Sequence, residues 1–277
     1  MSENDEPRPR EVLIVGGGVA GLTAATYTAR AGLDTLVCDV GESILRRNAH
    51  LENVPGFPAG VNSSTFLDLL DAQAARNGVD SREARVVALE RVDAPDDSAD
   101  GDAPRGFEAT LDSGDAVRAD RVIAASWSDA DYLDGLDVDL RDAGSKQYVQ
   151  VHGDDGGSVE ASGRTTVDGL YAAGRLADQY HQAVVAAGHG AQVAITLIHD
   201  ADVPYYHDWV APEGYFTDRD REVPPGCEEI DESERRARER ESMAAMREYF
   251  ADPHPERQRT HPSLTDDPEG RLPEDDD

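Results

Sequence analysis

Gly16-Gly17-Gly18-Val19-Ala20-Gly21 is the stretch whose residue types and spacing most directly specify chemistry. It fits G-x-G-x-x-G. Gly16 permits a tight turn, Gly18 lets backbone approach a diphosphate, and Gly21 lets a helix pack closely on a strand. A helix opening at Val19 and Ala20 turns its unpaired N–H groups and the positive end of its dipole toward the phosphates. Asp39 lies 23 residues beyond Gly16, where a ribose-binding acid belongs. A plain glycine-rich strand–helix turn is the simpler reading. The strand before, the helix after and Asp39 favour a dinucleotide, although the motif does not separate FAD from NAD.

The elements that must position these residues are legible around them. Residues 11–15 form a short apolar run, as a buried parallel strand requires. Residues 19–31 are Ala-rich and helical, with Gly32 as C-cap. Residues 34–38 predict a second buried strand, which completes a βαβ start. Pro55, Gly56, Pro58 and Gly60 predict irregular structure over 40–62. Phe66, Leu67, Leu70 and Ala74 share one face of a helix predicted over 64–77. Strands are expected at 84–92 and 107–111, with a solvated loop between them, and a third near 116–118 completes an antiparallel meander. Further buried strands are expected at 121–125 and 169–173, a possible one at 148–151, and a helix at 181–198. The fold class expected is α/β: a mostly parallel, Rossmann-like sheet plus a small antiparallel meander.

Composition narrows the function classes. The chain of 277 residues has 26 Lys+Arg against 57 Asp+Glu, a net charge of −31. Such a charge opposes phosphate backbones and anionic lipid, so neither nucleic acid nor membrane is expected as a partner. No stretch approaches the roughly 18 apolar residues of a spanning helix. Lys146 is the single lysine. Acid-rich, lysine-poor composition suits concentrated salt, where screening weakens self-repulsion, and reads as halophile-like. The two cysteines, Cys38 and Cys227, form no C-x-x-C and exclude a disulfide-stapled domain. The polar N-terminus is unlike a signal peptide, and a reducing cytoplasm is expected.

Further segments resemble thioredoxin reductases. Glu52-Asn53-Val54-Pro55-Gly56-Phe57-Pro58 with Gln73-Ala74 resembles that family's E-N-x-P-G-F-P … Q-A stretch. Ala124-Ala125-Ser126 stands where it has an A-T-G strand end. Ala172-Ala173-Gly174, with His181-Gln182-Ala183 and Ala186-Ala187-Gly188-His189-Gly190, resembles its late A-A-G-D … R-Q-A … A-G-x-G segment. The resemblance covers about residues 10–128 and 145–198. It implies an FAD-binding domain in which the first glycine motif holds the ADP half. Asn53, Gly174 and the residues around them would then lie near the ribityl and ring parts. Gln182 and Ala183 would open a helix whose N-terminus stabilises charge on a reduced flavin.

Departures from the family define what is unusual. Only residues 127–168 fill the place of a second dinucleotide domain, which needs on the order of 100 residues. The redox C-x-x-C is absent. Arg175 stands where the family has a ribityl-binding Asp, with Asp178 displaced nearby, and His181 replaces the Arg of R-Q-A. Arg46-Arg47-Asn48-Ala49-His50 replaces Gly-Gly-Gln. The FAD scaffold is retained on this reading, whereas the parts that use NADPH and disulfides are deleted.

Other side chains have plainer readings. His181 and His189, eight apart, lack a third ligand, and no metal site is expected. His181 is read as a hydrogen-bonded structural histidine, with a proton donor beside a flavin as its alternative. Cys38 is expected to be an inert buried thiol. Acidic Glu228 and Glu229 argue against a reactive Cys227. Tyr205, Tyr206, Trp209, Tyr215 and Phe216 either cover an open flavin face or pack a C-terminal extension onto the body. Met243, Met246 and Phe250 form a stripe on a charged helix near 231–250, docked on the parent domain or on a second subunit. Glu232/Arg236 and Glu234/Arg238 are spaced to support that helix.

The expected organisation is a disordered N-terminus over 1–10 and an FAD-binding domain over 11–198, in halves 11–128 and 145–198. An extension over 199–251 and a disordered acidic tail over 252–277 follow. The expected function is an FAD-dependent oxidoreductase taking electrons from an external small-molecule or protein donor. A homodimer is open to it. Cofactor-binding residues are Gly16, Gly18, Val19, Ala20, Gly21, Asp39, Asn53, Gly174, Arg175, His181, Gln182 and Ala183, and no catalytic side chain is singled out. A degenerate, non-catalytic nucleotide-binding protein acting as sensor or assembly partner is one alternative. An NAD(P)-binding enzyme is the other.

Overall fold

The computed structural model describes residues 9–41, 43–92, 106–144, 146–152, 162–205 and 207–273. The expected loop at 93–105, residues 1–8, Tyr206 and residues 274–277 lie outside these.

The architecture is α/β and Rossmann-like. Strand β1 (Arg10–Val15) leads through helix α1 (Val19–Arg30) to β2 (Thr35–Asp39). Helix α2 (Ser63–Arg76), β3 (Asp80–Glu83), β4 (Val86–Val92), β5 (Gly106–Leu111) and β6 (Ala116–Ala124) follow. Strands β3, β2, β1 and β6 lie side by side in parallel, and β9 (Leu170–Ala172) adds in parallel to β6. Strands β4, β5 and β6 form the antiparallel meander.

Apolar runs become buried strands because both faces of the sheet are covered. Alternate side chains point to opposite faces. Val12 and Ile14 meet α1 and helix α3 (Ala183–Asp200), packing with Leu22, Val193 and Leu197. Leu13 and Val15 meet the meander through Leu89, Phe107 and Leu111. All of these residues are buried.

Two of the predicted strands, 116–118 and 121–125, are one strand. The polar pair Asp120-Arg121 marks where β6 changes partner along one edge. Strand β5 pairs with it as far as Ala119, and β9 begins at Val122. Strand β3, with the sequence Asp-Ser-Arg-Glu, has no apolar signature to mark it as a strand. The possible strand at 148–151 is a hairpin of β7 (Leu140–Ala143) and β8 (Lys146–Val149).

The C-terminal part departs most from expectation. A parallel ribbon of β10 (Trp209–Pro212) and β11 (Cys227–Ile230) precedes helix α4 (Glu232–Tyr249). Trp209, Tyr215 and Phe216 pack edge-to-face on one another, with centroids 4.6–5.7 Å apart. Of the stripe on α4, Phe250 meets Phe57 at 6.2 Å, while Met243 and Met246 stay exposed. The tail expected to be disordered from 252 is instead placed against the body as far as 273. Ion pairs, rather than apolar burial, tie it down: Arg46 to Glu256 and Asp68 to His254. A low-hydrophobicity criterion for disorder does not register such anchors.

Candidate functional site

A cleft of about 1220 Å³ runs along the C-terminal ends of the parallel strands. That is more than a typical small-ligand pocket offers and suits an extended dinucleotide. Gly16, Gly18, Val19, Ala20, Asp39, Asn53, Arg175, His181, Gln182 and Ala183 all line it. Gly16–Ala20 and Arg175–Ala183, far apart in sequence, therefore form one trough. Gly21 and Gly174 are buried and are not among its lining residues.

The glycine motif is built by contact. Gly16 has φ +111°, and a Cβ there would stand 2.6 Å from Ala125 O. A Cβ on Gly21 would stand 1.9 Å from Gly16 O, so the helix could not lie as close to the strand. At Gly18 a Cβ would meet, among the described residues, only Ser43 Oγ at an ordinary contact distance of 3.9 Å, and Gly18 itself lines the cleft. Gly18 is the N-cap of α1 without a side-chain cap, so the first-turn N–H groups lack intrahelical acceptors. Asp39 accepts hydrogen bonds from Gly17 N–H and Gly41 N–H, both at 2.9 Å, and fixes the carboxylate at the rim.

The late segment closes the other end. Helix α3 packs on α1 so tightly that a Cβ on Gly190 would lie 2.2 Å from Ala20 O. Gln182 caps α3 without a side-chain bond to the helix, because its Oε1 accepts from Asn53 Nδ2 at 2.8 Å. The N-termini of α1 and α3 thus open onto the same cleft. Buried His189 accepts from Gly174 N–H at 3.0 Å and is a structural histidine. His181 is exposed and stacks edge-on against Trp127 at 5.9 Å.

Arg175 does not plug the trough. Its guanidinium donates to Tyr148 Oη at 2.5 Å and to Gln179 O at 3.1 Å, and lies 4.7 Å over the Tyr148 ring. Arg175 Nε is buried, with no hydrogen-bond partner among the described residues. Asp178, at φ +57°, pairs with both Arg175 and Arg141. The arginine is therefore tied to the β7–β8 hairpin.

Several cleft residues carried no sequence signal. Trp127 follows the β6 strand end with φ +64°, a sparsely populated conformation for a bulky residue. Arg85, Lys146, Thr260 and His261 reach the lining from distant segments. Arg47, Arg85, Lys146 and Arg175 face Asp39, Glu52 and Asp129 there. Cations outnumber carboxylates in this cleft, in a chain of net charge −31. Cys38 lies in the floor, where burial pushes its thiol up to about 11. Trp209, Tyr215 and Phe216 are not among the lining residues, which favours packing as their role.

A family model described as an NAD(P)-binding Rossmann-like domain matches residues 14–80. Thioredoxin reductase of Streptomyces coelicolor is 40% identical over 84 residues, 29% of this chain and 26% of the relative. That of Streptomyces clavuligerus is 36% identical over 123 residues, covering 43% of this chain and 34% of the relative. Over these stretches the chain is similar to thioredoxin reductases. It spans only about a quarter to a third of the length of these curated relatives. Among solved structures, a thioredoxin reductase from Gloeobacter violaceus superposes with TM-score 0.52 at 19% identity, over 71% of this chain and 97% of that one. An oxidoreductase from Agrobacterium tumefaciens gives 0.58 at 15% identity, over 72% and 100%. Both share the fold of this chain. Between Ala125 and Gly169, its described residues hold a 3-10 turn at Asp131–Leu133 and the β7–β8 hairpin. Cys38 and Cys227 are both free thiols.

Proposed function

We propose that the chain is an FAD-dependent oxidoreductase that takes electrons from an external donor, a small molecule or a protein, without a nicotinamide domain or redox dithiol of its own. The observation that carries this reading is the convergence of two helix N-termini, α1 at Gly18 and α3 at Gln182, on one cleft. Gly16, Gly18, Val19 and Ala20 would hold the diphosphate, with Gly21 letting α1 lie close enough to present them, and Asp39 the ribose hydroxyls. Asn53, Gly174, Arg175, His181, Gln182 and Ala183 would surround the ribityl chain and ring. The flavin, when bound, supplies the electron-transfer chemistry. The N-terminus of α3 favours negative charge facing it. The cation excess in the lining favours an anionic ligand against the charge of the whole chain. Residues 11–198 would be the FAD domain and residues 199–251 an appended module, in a protein of a cytoplasmic, salt-rich setting, as monomer or homodimer.

A non-catalytic nucleotide-binding protein is the second reading. Arg175 favours it, because the position of the family's acid is occupied by a cation committed to Tyr148. Titrating the purified chain with FAD, then adding chemical reductant, separates the two. Saturable binding with bleaching of the visible absorbance supports the redox reading. Binding of ADP or NAD(P)H with no uptake of FAD supports the second.

A further inference from the structure

The C-terminal strap reaches the cleft by a chain of polar anchors. Glu256 accepts from Arg46 Nη1 and Ser64 Oγ, both at 3.0 Å, and from Arg259 Nε at 3.0 Å. His254 Nε2 lies 2.9 Å from Asp68 Oδ2, and Asp68 Oδ1 also accepts from Arg46 Nη2 at 3.2 Å. Gln258 Nε2 donates to Arg47 O at 3.3 Å. The strap then returns on itself: Thr260 N–H donates to Gly270 O at 2.7 Å and Leu272 N–H to Gln258 O at 2.8 Å. Gly270 is required there, because its φ is +75° and a Cβ would stand 2.2 Å from Thr260 O. The outcome is that Thr260 and His261 join Arg47 and Asn48 in the cleft lining.

The ring of His261 is already oriented. Its Nδ1 lies 2.8 Å from Ser263 Oγ and 3.2 Å from Ser263 N; with Nδ1 accepting from both, the neutral ring carries its proton on Nε2. Nε2–H is then a donor suited to an oxygen acceptor, whether phosphate or sugar hydroxyl.

We propose that the strap is part of the ligand site. Thr260 and His261 contact the oxygen-rich portion of a dinucleotide in the cleft, and Glu256 is the positioning residue that holds them there. The inference rests on the FAD-binding reading given above. It adds a specificity element carried on a segment outside the FAD domain. Ligand binding and strap docking must then be thermodynamically linked, each favouring the other by the same factor.

The test uses the full chain, a chain ending at Ala251, and the variants Glu256→Ala, His261→Ala and His261→Gln. Each is titrated with FAD and with ADP and digested with trypsin, which can cut after Arg257 and Arg259. Removing the strap or truncating His261 should weaken FAD binding about tenfold, the loss of a hydrogen bond to a charged or strongly polar group. His261→Gln keeps an N–H donor and should recover most of that affinity. Glu256→Ala should weaken binding and expose Arg257 and Arg259 to trypsin, while FAD should slow the same cuts in the full chain. Parallel losses for ADP and FAD put the strap on the diphosphate half, and losses for FAD alone put it on the ribityl half. Unchanged affinities in all variants, with the full chain still binding FAD, would overturn the strap and leave the FAD reading standing. A full chain that takes up no FAD would overturn both.

Discussion

Asn53 Nδ2 donates a 2.8 Å hydrogen bond to Gln182 Oε1, joining the irregular segment before α2 to the N-cap of α3 across 129 residues of sequence. The bond takes the Gln182 side chain away from its own helix, and α3 has no side-chain cap. Its first N–H groups are left for a ligand in the cleft that both residues line. Truncating Asn53 to Ala should release that arrangement. A neutral hydrogen bond is worth about 1 kcal/mol, so FAD affinity should fall roughly fivefold with little change in melting temperature. Calorimetric titration of Asn53→Ala against the parent chain measures it, and an unchanged affinity would show that the bond is incidental.

Three glycines make a graded test of helix packing. Gly21→Ala and Gly190→Ala would drive a Cβ to 1.9 and 2.2 Å from backbone oxygens of Gly16 and Ala20. Backbone must move in both, and each should cost at least about 2 kcal/mol. Gly188 lies on the exposed face of α3 with nothing near its would-be Cβ. Gly188→Ala should stabilise by about 0.5–1 kcal/mol through helix propensity alone. Urea unfolding of the three variants gives the order, and similar values for all three would refute the packing argument.

Trp127 and Trp209 are the chain's two tryptophans, and only Trp127 lines the cleft. Intrinsic fluorescence should therefore be quenched when FAD binds. Trp127→Phe should abolish the quench, and Trp209→Phe should preserve it. The opposite pattern would move the ligand elsewhere.

Much of this arrangement was legible in the sequence, and the remainder fails for identifiable reasons. Strands β1 and β2, α1 and α3 announce themselves because burial on both faces demands unbroken apolar runs. The turn at Gly16, where φ is +111°, and the close helix–strand contact at Gly21 were legible because each requires glycine. Strand β3 was not, since an edge of the sheet tolerates Asp-Ser-Arg-Glu. The polar pair Asp120-Arg121 looks like a strand end in the sequence, but within β6 it marks an exchange of neighbours. Trp127, Lys146, Thr260 and His261 were missed for a deeper reason. They reach the cleft through tertiary contacts of segments that carry no periodicity of their own. The ion pairs anchoring the strap lie 186–210 residues apart in sequence.

Buried Cys38 should be chemically silent although it lies in the floor of the cleft. With its thiol held near 11 by burial, almost none is ionised at pH 8. A thiol reagent at that pH should modify half-exposed Cys227 and spare Cys38 until denaturant is added. Two equally fast thiols in the native chain would contradict this placement.

Acid should undock the strap. Burial raises the Glu256 carboxyl, but bonds from Arg259 and Ser64 and the charge of Arg46 outweigh it and hold the group below its ordinary 4.5. Asp267 is likewise held below its ordinary 3.8 against desolvation, by Arg271 and two backbone N–H groups. A depressed carboxylate contributes stability above its unfolded value, and that contribution is lost as pH falls through the folded one. The strap should therefore be docked above about pH 4.5 and released progressively below it. Exchange of the Thr260 and Leu272 amide protons, followed by NMR from pH 6 to 3, reports the change. Protection that rises toward pH 3 would reverse the assigned sign.

The most direct test is the stoichiometry and identity of the bound molecule. The full chain is incubated with excess FAD, freed of unbound ligand and denatured, and the released compound is identified and counted. One FAD per chain is the expected result, falling sharply for Gly18→Val, whose side chain would fill the diphosphate cradle. Release of no FAD, or equal retention by Gly18→Val, would contradict the assignment of this cleft.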